Sequence, residues 1–124
     1  MHLSPVKVTT AALAGVFLLT GFGISPASQA LTGKPSAATI AKGKALVSTD
    51  HCNACHGPNL AGRPGRTPNI TSTGVLKEYT PKTWVRLFTT GLTNDGKPVG
   101  MPMSSIKLKS ADSTAVWAYL ETLK

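Results

Sequence analysis

Six consecutive residues, His51-Cys52-Asn53-Ala54-Cys55-His56, hold both cysteines of the chain and two of its three histidines. Three chemistries use such a set. The first is a redox dithiol. Cys-x-x-Cys serves that role at a strand-to-helix junction of an α/β domain, and this chain offers no strand pattern to build one. A structural disulfide between Cys52 and Cys55 would close a very small loop and add little stability. The second is zinc. A closed zinc site takes four ligands, commonly as two separated pairs. The second pair is missing, and adjacent residues of the motif point in different directions. The third is covalent haem, for which Cys-x-x-Cys-His is the attachment signature. Residues three and four apart share one side of a helical turn. Cys52 and Cys55 can therefore meet the two vinyl groups at one edge of a single macrocycle, and His56 can bring its imidazole to the iron. The expectation is one haem c, attached through Cys52 and Cys55, with His56 as the proximal ligand.

A second axial ligand should come from far along the chain. The candidates are Met101, Met103 and His51. His51 adjoins Cys52 and is read as a bystander at a helix end. Met101-Pro102-Met103 sits in a loop ahead of the last predicted helix. Both methionines could be ordinary gap fillers. Ligation by a neutral thioether would raise the reduction potential and suit an electron carrier. Met101 is preferred as the distal ligand, with Met103 left open. The second nitrogen of a ligating histidine needs an acceptor. The backbone carbonyl of Pro68, in the loop after the motif, is the candidate; simple loop stiffening is the alternative role for that proline.

These residues have to be positioned by short helices. AATIAKGKALVST, residues 37–49, predicts a first helix running into the cysteine motif. Ile40, Lys44 and Val47 fall near one stripe, with Leu46 adjacent. Gly43 inside it costs stability relative to alanine, and is either tolerated or marks a close approach. Residues 57–80 contain three prolines and four glycines and read as loop. Thr80-Pro81 is a helix start, Thr as N-cap and Pro at the first helical position. Trp84, Leu87 and Phe88 then form an apolar stripe, and Gly91 ends the helix. Residues 91–109 are loop again, with a turn at Asn94-Asp95-Gly96. Ser110 is expected to cap a last helix carrying Asp112 in its first turn. Val116, Tyr119, Leu120 and Leu123 would form its buried face, with Trp117 beside it. No stretch alternates as a strand does, and no repeat is present. The fold class is all-α: three or four short helices with long loops, and loops of this length are usually functional. Here they would wrap the cofactor.

The N-terminus carries a different signal. Residues 1–7 are short and positively charged, residues 9–24 are strongly apolar, and small residues stand at Ser28 and Ala30. This order predicts a secretory signal peptide over 1–30. An uncleaved membrane anchor is the alternative, because no charge occurs between Lys7 and Lys34. The domain proper would be 31–124, in the periplasm. Removing Lys7 lowers the formal charge from +8 to +7, which favours acidic partners. The basic residues are scattered and aromatics are few, so a nucleic-acid surface is not expected. A domain this small usually needs a staple, and a bound cofactor would provide it.

The order helix, CNACH, Gly/Pro loop, Thr67-Pro68-Asn69-Ile70-Thr71, short helix, Met101-Pro102, and a helix ending in Ala118-Tyr119-Leu120 resembles a mono-haem class I cytochrome c. Thr73-Gly74, Tyr79-Thr80, Gly91 and Asp95-Gly96 fit the same order. The chain is most similar to the single-haem modules in cytochrome subunits of bacterial membrane dehydrogenases for alcohols and sugars. The resemblance implies thioether links at Cys52 and Cys55, His56 and Met101 as iron ligands, and the Pro68 carbonyl as acceptor for His56. It implies that Gly43 lets the first helix cross the last near Tyr119. Three features depart from the pattern. The stretch between Thr71 and the middle helix is short, Met103 stands where the family often has an aromatic or proline, and those subunits carry three modules and a C-terminal anchor. A free-standing carrier is therefore expected. It would be a monomer without substrate chemistry, passing one electron between partners of a respiratory or dehydrogenase chain. It would touch a membrane only through an uncleaved leader. The alternative is a haem protein that binds or senses small ligands, or a weak peroxidase, with a labile or absent methionine ligand.

Overall fold

Ser36 starts the first helix by a local bond: its hydroxyl accepts the backbone N–H of Thr39 at 3.1 Å, a cap worth about 1 kcal/mol. The structure, a computed structural model, describes residues 33–124; the expected leader over 1–30 lies outside them. Helix α1 spans Ala37–Thr49. These are the bounds the sequence predicts, and only Asp50 and His51 separate the helix from the cysteine motif. The hydroxyl of Thr49 turns back to the carbonyls of Ala45 and Leu46, each at 3.2 Å, and that of Ser48 turns back to Lys44. Such side chains compete with the helix ladder. His51 then adopts the left-handed conformation, with φ at 56°, which histidine enters more readily than most residues. The motif therefore rides on a separate helix, α2, Cys52–His56.

A long loop with one turn of 3-10 helix, Val75–Glu78, leads to α3, Pro81–Thr90. The start of α3 is as the sequence predicts. Thr80 and Thr83 each accept the other's backbone N–H, at 3.2 and 2.8 Å, and Pro81 follows the cap. Gly91 closes it with φ at 75°, a conformation that suits glycine. A second 3-10 turn, Met103–Ser105, precedes α4, Ser110–Leu120. Here the sequence expectation needs correcting. Lys109, extended at φ −65° and ψ 154°, occupies the cap, and Ser110 is already helical. The hydroxyls of Ser113 and Thr114 point back to the carbonyls of Lys109 and Ser110. Asp112 does lie in the first turn, where it reaches Lys42 of α1 at 2.6 Å. Among the described residues there is no strand, only isolated bridges of Arg63 with Thr67 and Leu92 with Pro98. The fold is all-α, with four α-helices among the described residues.

Helices α1 and α4 cross at Gly43. A Cβ there would run into the Ala115 carbonyl and stand 2.8 Å from the Cβ of Tyr119. The close approach, not mere tolerance, explains this glycine. α4 buries more than one stripe: Ser113, Ala115, Val116, Trp117, Ala118 and Leu120 are all buried, so the helix is enclosed rather than amphipathic. Lys44, placed on the α1 stripe by spacing, is exposed, while Val47 is buried. Trp84 joins α3 to α4. Its indole N–H donates to the Ser113 carbonyl at 3.1 Å. Its ring meets Phe88, Tyr79 and Trp117 edge-on, with centroids 5.2, 5.7 and 5.8 Å away. Each such pair adds about 0.5–1.5 kcal/mol beyond area burial.

Candidate functional site

The helices and loops enclose a cavity of about 350 Å³, inside the range of cofactor and ligand pockets, about 300–1,000 Å³. Trp84, Leu87 and Phe88 of α3, Val116 of α4, and Ile70 and Val75 from the long loop give it an apolar lining. The same cavity gathers every site residue read from the sequence: Cys52, Cys55, His56, Pro68 and Met101 all line it. Met103 and His51 line it as well. The two methionines differ in setting. Met101 is 77% exposed, whereas Met103 is half-buried and packs against the hydrophobic core.

His56 is buried, and its Nδ1 lies 2.8 Å from the Pro68 carbonyl oxygen. A carbonyl oxygen can only accept. Nδ1 therefore carries the hydrogen and donates it, and in the neutral ring Nε2 keeps its lone pair. A backbone carbonyl that fixes the tautomer and ring plane is the usual partner of a metal-bound histidine. The loop holding that carbonyl is itself tied down. The Thr67 hydroxyl donates to the Cys55 carbonyl at 2.8 Å, and the Gly62 N–H donates to the His56 carbonyl at 2.8 Å. Asn69 works as a hub: its Oδ1 accepts both the N–H and the hydroxyl of Thr71 at 2.8 Å, and its carbonyl accepts the Val75 N–H at 2.8 Å. Sequence reasoning named Thr67, Asn69 and Thr71 only as part of a family pattern and gave them no task. The Asn-x-Thr spacing, which favours an Asx-turn, was the available signal.

Cys52 is half-buried and Cys55 exposed; neither is bridged. Burial pushes the Cys52 thiol up, and the nearby Asp50 carboxylate pushes it further. Among the described residues, no three His, Cys, Asp or Glu side chains are grouped to hold a metal ion.

Short helices around one apolar cavity, two cysteines three apart on a helical turn, and a histidine with its Nδ1–H committed to a carbonyl define a protein built to carry a covalent haem. The comparisons agree. The family model for cytochrome c matches residues 40–124, and the chain belongs to that family. No curated protein and no solved structure matches it. Members of the family bind haem c covalently through cysteine, and this chain's two cysteines stand at 52 and 55 in the required spacing. The protein is a haem-based electron carrier of the class I cytochrome c type. The residues present fit that group: paired thiols, an apolar lining and a histidine held by one nitrogen.

Proposed function

We propose that the protein is an exported carrier passing single electrons between redox partners, with Cys52, Cys55, His56, Pro68 and Met101 as its working residues. The observation carrying this reading is the 2.8 Å bond from His56 Nδ1 to the Pro68 carbonyl, which leaves Nε2 as the nitrogen available to iron. Haem c, when bound, supplies the Fe(III)/Fe(II) couple. Cys52 and Cys55 would tether it as thioethers. His56 would be the proximal ligand, its ring plane fixed by Pro68. Met101 would offer the distal thioether, a neutral donor that favours Fe(II). Ile70, Trp84, Leu87, Phe88 and Val116 exclude water and hold the local dielectric low.

Residues 1–30 would direct export to the periplasm and be removed, leaving 31–124. Likeness of the motif order to the single-haem modules of dehydrogenase cytochrome subunits supports partners in a dehydrogenase or respiratory chain. The charge supports an acidic docking surface on those partners. Without residues 1–30 the formal charge is +7, and two of the five carboxylates, Asp95 and Asp112, are engaged by Lys97 and Lys42. Docking would be small in area, transient and weakened by salt. The protein would itself transform no substrate.

The test is expression in a bacterium able to attach haem in its periplasm. The expected product carries one haem that survives denaturing electrophoresis, and its oxidised form shows the long-wavelength absorbance band of Met–Fe(III) coordination. Retention of full covalent haem by the Cys52→Ala, Cys55→Ala double variant would overturn the reading. A second reading, a ligand-binding haem protein with a labile methionine, draws on the exposure of Met101, 77%. Rapid carbon monoxide binding to the reduced protein, with the long-wavelength band absent, would select it.

A further inference from the structure

The Ser104 hydroxyl faces the Sδ of Met101 within hydrogen-bond reach and is its donor. Thioether sulfur is a weak acceptor with two lone pairs, so an exposed methionine seldom commits one of them. Here the donor is well placed to hold it. Ser104 is half-buried within the 3-10 turn Met103–Ser105. Its own N–H is bound to the Gly100 carbonyl at 3.1 Å, and the next residues bind Pro102 and Met103 at 3.0 and 3.1 Å. Met103 and Ile106, on either side, pack against the hydrophobic core. A hydroxyl carried on a fixed backbone turn therefore faces a sulfur on a side chain with three rotatable bonds, on the cavity lining.

We propose that Ser104 is a positioning residue for the distal sulfur: it fixes which lone pair of Met101 Sδ is presented to the iron and withdraws electron density from that sulfur. The inference rests on Met101 being the distal ligand. Fe(III) needs donation from its ligands more than Fe(II) does. A hydrogen bond that competes for the sulfur's electrons therefore disfavours Fe(III) and raises the potential. Hydrogen bonding beyond the ligands is one of the levers by which a protein tunes such a centre. The neighbouring Ser105 is a built-in control, because its hydroxyl donates instead to the Pro102 carbonyl at 2.6 Å.

The experiment measures reduction potential and the long-wavelength Met–Fe(III) band of the haem-loaded protein in five variants. Ser104→Ala should keep the band and shift the Fe(III)/Fe(II) equilibrium toward Fe(III) by about two- to tenfold, a fall of up to about 59 mV for one electron. Ser104→Thr should restore the potential, and Ser105→Ala should leave it unchanged. Met101→Leu should abolish the band, and Met103→Leu should keep it. If Met101→Leu keeps the band, the assignment of the distal ligand fails, and the role of Ser104 with it. If Met101→Leu abolishes the band while Ser104→Ala leaves the potential at the wild-type value, the inference about Ser104 fails alone.

Discussion

The cavity has two kinds of lining, and they are built differently. The motif side, α2 with residues 62–75, is tied at many points. His56 is 8% exposed and held by Pro68; Cys55 is held by Thr67; Asn69 binds Thr71 and Val75. The other side, residues 99–103, is tied mainly within its own short turn. Val99 donates to the Gly91 carbonyl at 2.8 Å, Ser104, Ser105 and Ile106 donate to the Gly100, Pro102 and Met103 carbonyls, and Met101 meets Ser104. Met101 itself is 77% exposed. The difference suits a division of labour. An attachment site must hold a ring plane and two thiols in one fixed relation. A distal ligand needs one atom in place, and its surroundings can vary without undoing the attachment.

Variants in each lining should separate these roles. The largest effect is expected for His56→Ala. Losing a direct ligand should cost more than losing an outer partner, which typically reduces affinity about 10- to 100-fold. The yield of haem-loaded protein, read from haem stain per unit protein, should therefore fall by more than about a hundredfold. Met101→Leu comes next and should differ in kind: normal haem yield and normal helicity, with a clear fall in potential and faster carbon monoxide binding to the reduced form. Equal loss of haem yield in both variants would break the contrast between the linings.

That contrast also explains what was legible in advance. The motif side announces itself because its chemistry is contiguous. Cys52, Cys55 and His56 lie within five residues, and one helical turn aligns them. The start of α3 was legible for the same reason, since Thr80 and Thr83 cap it reciprocally and Pro81 follows the cap. The end of α1 was legible too: the helix stops at Thr49 as the sequence predicts, and the hydroxyls of Ser48 and Thr49 and the left-handed turn at His51 mark the stop. Less was visible wherever distant segments decide. The likeness to the family, not the local pattern, gave Gly43 as the crossing of the first and last helices, and nothing local says that Trp84 will donate to Ser113 across 29 residues. The cap of α4 was misplaced by one residue because Ser110 is a cap former by type, while the backbone turns helical one step earlier. Ser104 gave no signal, because a serine three residues after a methionine means something only once the turn between them is known.

Thr67→Val tests how much one tie on the motif side is worth. It removes the hydroxyl that bonds the Cys55 carbonyl and accepts from the Arg63 N–H. The expected cost is about 0.5–1.5 kcal/mol, measured by urea unfolding, with the potential unchanged. A cost near zero would mean that the His56–Pro68 and Gly62–His56 bonds suffice to hold the loop.

The smallest effect is expected at the turn leading into residues 99–103. Asp95 is exposed, paired with Lys97 at 2.8 Å, and accepts the Thr93 hydroxyl. The Lys97 ammonium, then that hydroxyl, lowers its carboxyl to about 2 from the ordinary 3.8. A lowered folded-state value means that the carboxylate stabilises the fold above about pH 4, and that this contribution disappears as pH falls toward 2. Lys97 is shifted upward by the same pair, so the pair stays intact through neutral pH. Asp95→Asn should therefore be slightly less stable than the wild type at pH 7 in low salt, and the gap should close between about pH 4 and pH 2. Urea midpoints across that range check it, and a gap that persists at pH 2 would sink the assignment. The same turn closes with the Thr93 N–H on the Lys97 carbonyl at 2.8 Å, two residues before Val99. If this weak pair helps hold the Met101 lining, Asp95→Asn should also speed carbon monoxide binding to the reduced protein. An unchanged rate would assign the placement of Met101 to its own short turn and the Ser104 hydroxyl.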